Sequence, residues 1–130
     1  MNPYDVTKVV VWADTGVILM ARIQGSDAAN IAQADITSIR YGIYDLSSST
    51  PLTELSDSAA LVVADVVFDT LQTDSRWDTD STGYNFRHTV ASTTLTGGDH
   101  KYGVKYSFVP ASGQAFMVPF EVWAKSPYGG

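Results

Sequence analysis

Four stretches of the chain alternate apolar and polar residues with a period of two. In ITSIRYGIYD, residues 36–45, Ile39, Tyr41 and Ile43 share one phase, while Ser38, Arg40 and Gly42 share the other. Tyr84, Phe86, His88 and Val90 alternate in YNFRHTV. Tyr102, Val104, Tyr106 and Phe108 do so after the break Thr96-Gly97-Gly98-Asp99, with Lys101, Gly103, Lys105 and Ser107 between them. Phe116, Val118, Phe120 and Val122 stand opposite Met117, Pro119, Glu121 and Trp123. A helix would spread such residues around its axis, whereas a strand sends alternate side chains to opposite faces. Each stretch therefore reads as a half-buried strand.

Weaker signals fill in the rest. Residues 17–24, VILMARIQ, begin β-branched and end at Gly25-Ser26-Asp27, which marks another strand. Val9-Val10-Val11-Trp12 is a first strand or an arm that packs on another subunit. Residues 26–35 read as a loop with room for a helical turn. Leu46 to Pro51 is a turn cluster, and Leu52 to Leu55 a short edge strand. Residues 59–68 are apolar and valine-rich. Residues 69–76, DTLQTDSR, fit one helical turn anchored by Leu71 and Trp77. Pro110-Ala111-Ser112-Gly113 is a hairpin turn. Pro119 has no amide hydrogen, which points to an edge strand or a bulge.

About seven strands at roughly ten-residue spacing predict an all-β fold, a single antiparallel β-sandwich. With 130 residues the chain suits one such unit. Residues 1–16 form an arm or first strand, 17–124 the sandwich and 125–130 a flexible tail. A tyrosine opening a strand after a glycine turn, as in Leu95-Thr96-Gly97-Gly98-Asp99-His100-Lys101-Tyr102, resembles the corner of immunoglobulin-like domains. There the ring closes the end of the core and its hydroxyl satisfies a backbone group. The expectation is thus an immunoglobulin-like sandwich.

Charge and composition narrow the function. Hydrophobic residues at 45% and charged residues at 17% suit an ordered domain. The net charge of −6 repels phosphate backbones, and the eight basic residues are scattered from Lys8 to Lys125, so nucleic-acid binding is not expected. The sign suits docking onto a basic protein surface. The absence of cysteine removes disulfides and thiolate sites. No apolar run approaches the ~20 residues that span a bilayer. The start MNPYDVTK lacks a signal-peptide pattern, which points to synthesis in a cytoplasm without export.

The stretch WDTDSTGYNF, residues 77–86, is the richest in candidate chemistry. Asp78, Asp80, Thr82 and Gly83 match the first half of an EF-hand loop. That loop needs a bidentate glutamate at its twelfth position, which here is Thr89 inside a strand. Short polar side chains capping their own backbone explain the pattern without an ion. Asp74, Asp78 and Asp80 with Trp77 and Tyr84 also resemble a glycosidase carboxylate pair on an aromatic platform. Aspartates so close in sequence more often point into water. His88 and His100 have no metal-ligand spacing. No serine stands in a nucleophile elbow, and Gly97-Gly98 lacks the context of a phosphate loop. No catalytic residue, metal or cofactor is therefore expected. Interface candidates are Trp12, Trp77, Tyr84, Trp123 and Tyr128, with burial inside the chain's own core as the equal alternative for the three tryptophans.

Phe68-Asp69-Thr70-Leu71-Gln72-Thr73-Asp74-Ser75-Arg76-Trp77, continued by Asp80 to His88, resembles small uncharacterised virion structural proteins of phages and prophages. So do Tyr106 to Gly113 and Phe120-Glu121-Val122. The resemblance spans residues 17–123 and carries no catalytic residues. It implies a virion protein of the head–tail neck or connector, or a capsid cement or decoration protein, assembled in the host cytoplasm. Its partners would be portal, neck or capsid proteins, with several copies per particle and no nucleic acid or membrane contact. Two other readings stand beside it. One is a carbohydrate-binding or adhesion module using an exposed line of Trp77, Tyr84 and Tyr128. The other is a small hydrolase using Asp78 and Asp80.

Overall fold

A computed structural model describes residues 7–13, 15–24, 29–47, 54–75, 77, 80–90 and 99–126, with residues 54–59 described as backbone only. Its strands are β1 (Thr7–Trp12), β2 (Val17–Ala21), β3 (Ile36–Asp45), β4 (Glu54–Leu61), β5 (Val67–Gln72), β6 (Tyr84–Val90), β7 (His100–Pro110) and β8 (Phe116–Lys125). A 3-10 turn, Gln33–Asp35, precedes β3, and a single helical turn α1, Val63–Val66, links β4 to β5.

The strands form two sheets, β1-β8-β7-β3-β4 and β2-β6-β5. From β2 onward the chain visits them in the order small, large, large, small, small, large, large. That is the connectivity of strands B, C, C′, D, E, F and G of an immunoglobulin-like sandwich. The expected fold class is thus observed, with eight strands in place of about seven. One pair departs from the antiparallel expectation: β1 runs parallel to β8, from Thr7 opposite Phe120 to Trp12 opposite Lys125. The residues after Trp12 carry the chain over to the other sheet and do not close a hairpin. Thr15 Oγ1 donates to the Trp12 carbonyl, and the Ala13 amide to that of Lys125.

Alternation becomes burial as predicted. Tyr102, Val104, Tyr106 and Phe108 of β7 are buried, as are Phe120, Val122 and Ala124 of β8 and Ile39 and Ile43 of β3. Aromatic rings join the sheets. Phe86 of β6 meets Tyr106 at 4.8 Å and Phe108 at 5.6 Å, both edge-on. Tyr106 meets Phe120 at 5.6 Å. Fully burying a ring of this kind contributes roughly 2–3 kcal/mol, and each well-set ring pair about 0.5–1.5 kcal/mol more.

Three local expectations change. Residues 69–72 continue β5, and the helical turn lies earlier, at α1. β5 pairs with β6 only through Val67 opposite Phe86 and Gln72 opposite Tyr84, with a register shift between. Five steps on one strand against two on the other erase the period of two that would have marked it. The predicted edge strand at 52–55 is the longer β4, which does lie at a sheet edge. Pro119 is not on an edge strand, but it stands just before the β1 pairing begins at Phe120. Tyr102 is buried as a corner tyrosine requires, whereas residues 91–98 of that corner lie outside the described residues. No helix among the described residues is long and apolar enough to cross a membrane.

Candidate interaction surface

Asp80 is the hub of the WDTDSTGYNF corner. Its Oδ1 accepts from Trp77 Nε1 at 2.9 Å and from the backbone amides of Thr82 and Gly83 at 3.0 and 3.1 Å. Its Oδ2 accepts from the Arg22 guanidinium at 2.8 Å, and the same Arg22 nitrogen donates to the Gly83 carbonyl at 3.1 Å. These donors, Trp77 foremost, hold the Asp80 carboxyl well below the usual carboxylate range. Such a group is a fixed anion, suited to anchoring a loop and not to carrying protons. Gly83 makes the turn possible: its φ is 106°, and an added Cβ would stand 2.4 Å from the Gln72 carbonyl oxygen.

Tyr84 opens β6 beneath this loop. Its hydroxyl donates to Asp74 Oδ2 at 2.5 Å and accepts from Arg87 at 3.0 Å. Burial, then the Asp74 carboxylate, pushes its phenol above the ordinary tyrosine value. Its ring meets Trp77 at 5.6 Å and Phe68 at 5.9 Å, and Arg87 lies 5.0 Å over Phe68. The aspartates are therefore not simply solvated, as the sequence led us to expect: Asp74 and Asp80 each organise the corner. Tyr84 is fully buried, so it cannot belong to an exposed line of rings. Asp78 and Tyr128 lie outside the described residues.

The histidines occupy separate places. His88 Nδ1 bonds the Tyr106 hydroxyl at 2.6 Å across the two sheets, and its ring lies 4.7 Å from Tyr41. Burial pushes its imidazole down, and burial pushes the Tyr106 phenol up. His100 Nδ1 meets Asp45 Oδ2 at 2.9 Å, where β7 begins beside the end of β3. Among the described residues no three His, Asp or Glu side chains gather as a metal site. A groove of about 710 Å³ opens between the β7–β8 hairpin and the end of β2. Of its charged side chains, Arg22 is committed to Asp80, and Asp35 accepts from the Ala32 amide at 2.9 Å.

The outer face of the five-stranded sheet is different in character. It presents Lys8 from β1, Arg40 from β3, Lys101 and Lys105 from β7, and Lys125 from β8. Five of the eight basic residues thus converge on one face, which corrects the reading of a scattered set. Sequence separation hid the cluster; the order β1-β8-β7-β3 creates it. The described side chains there include one carboxylate, Glu121, which accepts from Trp123 Nε1 at 2.6 Å and lies 3.9 Å from Lys101 Nζ. Lys101 and Lys125 sit 4.2 and 5.4 Å over the Trp123 ring, and Lys105 5.5 Å over Tyr44. Val10 (66% exposed), Trp12 (58%), Met117 (53%) and Val109 (46%) lie on the same face.

The three tryptophans therefore divide. Trp12 is exposed on an edge strand, Trp123 is half-buried under lysines, and Trp77 is half-buried in the corner. The charge cluster was legible in retrospect from parity. Lys101 and Lys105 fall on the outward phase of one strand, and Lys125 falls on the outward phase of the next. Comparison with family models, with curated proteins and with solved structures gives no match to this chain.

Proposed function

We propose that the protein is a bacteriophage virion structural protein of the neck or connector, or a capsid cement protein, and that it acts by protein–protein assembly. The observation that carries this reading is Trp12. A large ring stands 58% exposed on the edge strand β1, beside exposed Val10. An edge strand with an aromatic anchor is the kind of element that adds to a neighbour, and a buried tryptophan anchor typically accounts for about 2 kcal/mol or more of binding. The corner supports the same reading, since its aspartates serve loop geometry and leave no convergent reactive groups among the described residues. The partners would be portal, neck or capsid proteins bound to several copies of this chain.

The test is reconstitution. The purified chain is sized by light scattering and then mixed with the portal and capsid proteins encoded beside it. Stable co-assembly that Trp12→Ala weakens at least tenfold supports the reading. Failure to bind any of them, with the fold intact by circular dichroism, refutes it.

A further inference from the structure

We propose that the outer face of the five-stranded sheet docks onto the acidic β5 flank of a second copy of this chain, in a head-to-tail contact. Charge carries the first part of the argument. Lys8, Lys101, Lys105 and Lys125 against Glu121 make that set of described groups +3. The whole chain is −6, so all other groups together carry −9. A second copy thus supplies the complementary surface that the first one lacks.

The flank that fits is built by Asp35 of the 3-10 turn, Asp65 of α1 and Asp69 of β5. All three are exposed, and Val62, 63% exposed, accepts from the Asp65 amide at the start of α1. The Gln33 amide donates to Asp69 Oδ1 at 2.7 Å, and Gln33 Nε2 to the Val67 carbonyl at 2.9 Å, so the turn and β5 are one surface. The side chains of Asp35 and Asp69 accept from backbone amides. Among the described residues none of the three carboxylates has an ion-pair partner within the chain.

The apolar residues of the cationic face favour a protein over a polyanion. Lys101 and Lys125 crowd one ring, Trp123, and Glu121 lies within ion-pair distance of Lys101 alone. Incoming anions, carboxylate or phosphate alike, would relieve that crowding. Val10, Trp12, Val109 and Met117 form the apolar part of the same surface, which a protein can bury and a phosphate chain cannot. Face and flank are different surfaces of the molecule, so the contact is heterologous. It closes into a ring or continues as a filament according to the rotation between copies.

This assignment rests on the assembly reading and adds the surface and the partner. It is tested with the full chain by light scattering and sedimentation at protein concentrations up to about 1 mM, where even weak contacts populate. Wild type is expected to exceed the monomer mass at low salt. Its apparent dissociation constant should rise about tenfold or more on going to about 0.5 M salt, because the contact is largely ionic. The double substitutions K101E/K105E and A64K/D65K should each give monomers with unchanged circular dichroism. Their equimolar mixture should associate again, since the reversed face then meets the reversed flank.

A wild type that stays monomeric at low salt overturns the proposal, as does a mixture that fails to restore association. Association insensitive to K101E/K105E overturns it while leaving the assembly reading intact. A monomeric wild type that binds portal or capsid protein through Lys101 and Lys105 does the same. Salt-sensitive binding of a single-stranded oligonucleotide through those lysines, without self-association, assigns the face to nucleic acid and overturns it.

Discussion

Asn85 offers a quantitative test of how the sandwich is closed. It sits on the outward phase of β6, between Tyr84 and Phe86, yet is only 1% exposed. Its Oδ1 accepts from the Ile23 amide at 2.7 Å, and its Nδ2 donates to the carbonyls of Ile23 and Ile31 at 2.9 and 3.2 Å. The Ile31 amide also bonds the Ile23 carbonyl at 3.1 Å. In Asn85→Ala that carbonyl keeps a partner, but the Ile23 amide and the Ile31 carbonyl lose theirs. Each buried orphan costs about 1–3 kcal/mol, so a loss near 3 kcal/mol is expected. For 130 residues the unfolding entropy is about 0.27 kcal/mol/K, which makes the change a fall in Tm of roughly 11 °C. Denaturant and thermal unfolding followed by circular dichroism measure both quantities.

Asn85→Asp sharpens the test. It keeps the acceptor for Ile23 but sets a carboxylate oxygen against two carbonyls. Burial there raises the acid's folded pKa above its unfolded value near 3.9. Stability from the protonated form is then full below about pH 4 and is lost as pH rises through the folded pKa. The stability gap between Asn85→Asp and wild type should therefore narrow as pH falls from 7 to 4. An alanine cost below about 1 kcal/mol, or an aspartate gap independent of pH, would refute the argument that Asn85 clamps residues 23 and 31 to β6.

Three further outcomes are expected. Gly83→Ala meets both a positive φ and the Gln72 carbonyl oxygen at 2.4 Å, so it should destabilise by about 2 kcal/mol or more, read as a lower denaturation midpoint. Asp80→Asn removes the fixed anion beneath Trp77 and Arg22, and should shift tryptophan emission and lower Tm; unchanged emission would show that Trp77 does not depend on that bond. His88 is held neutral by burial, with its folded pKa below the unfolded value near 6.5. The unfolded chain binds that proton first, so stability is full above about pH 6.5. It should fall as pH drops toward the folded value, at up to about 1.4 kcal/mol per pH unit. His88→Phe should flatten the pH–stability curve in that window, and an unaltered slope would exclude His88 as its source.

The fold was legible wherever a strand's own residues alternate in type, even where its pairing shifts register, as β3 does against β4 and β7 and β6 does against β5. β3 and β6 were predicted at their observed bounds, because Ile39 to Ile43 and Tyr84 to Val90 hold a strict phase. β5 was hidden because its residues do not alternate, in keeping with its slipped pairing with β6. Strand β1 was anticipated as a first strand or an arm, but its parallel pairing with the distant β8 was not. Asn85 could not be foreseen either. An asparagine on the polar phase of a strand looks solvent-facing until residues 23 and 31 pack over it. At the WDTDSTGYNF corner, short side chains cap the backbone as expected, with Asp80 accepting from the Thr82 and Gly83 amides. The corner's electrostatics depend on Arg22, which lies 58 residues from Asp80 in sequence, and no local pattern encodes such a pairing.

The same distinction explains why the surface was harder to read than the core. A core position announces itself through its own residue type and the period of its strand. A charged face exists only after the strand order is known, because its members come from β1, β3, β7 and β8. Lys8 and Lys101 both border the row of Glu121 and Trp123, although they stand at opposite ends of the chain. Trp123 takes two lysines, whereas Tyr84 and Trp77 spend their faces on each other and their polar atoms on aspartates. Among the four candidate rings that lie in the described residues, Trp12 is the one the structure leaves broadly open. The chain can thus lose Trp12 with little loss of fold but cannot lose Tyr84. An equal stability penalty for Trp12→Ala and Tyr84→Ala, measured by the same unfolding assay, would contradict that division between contact and core.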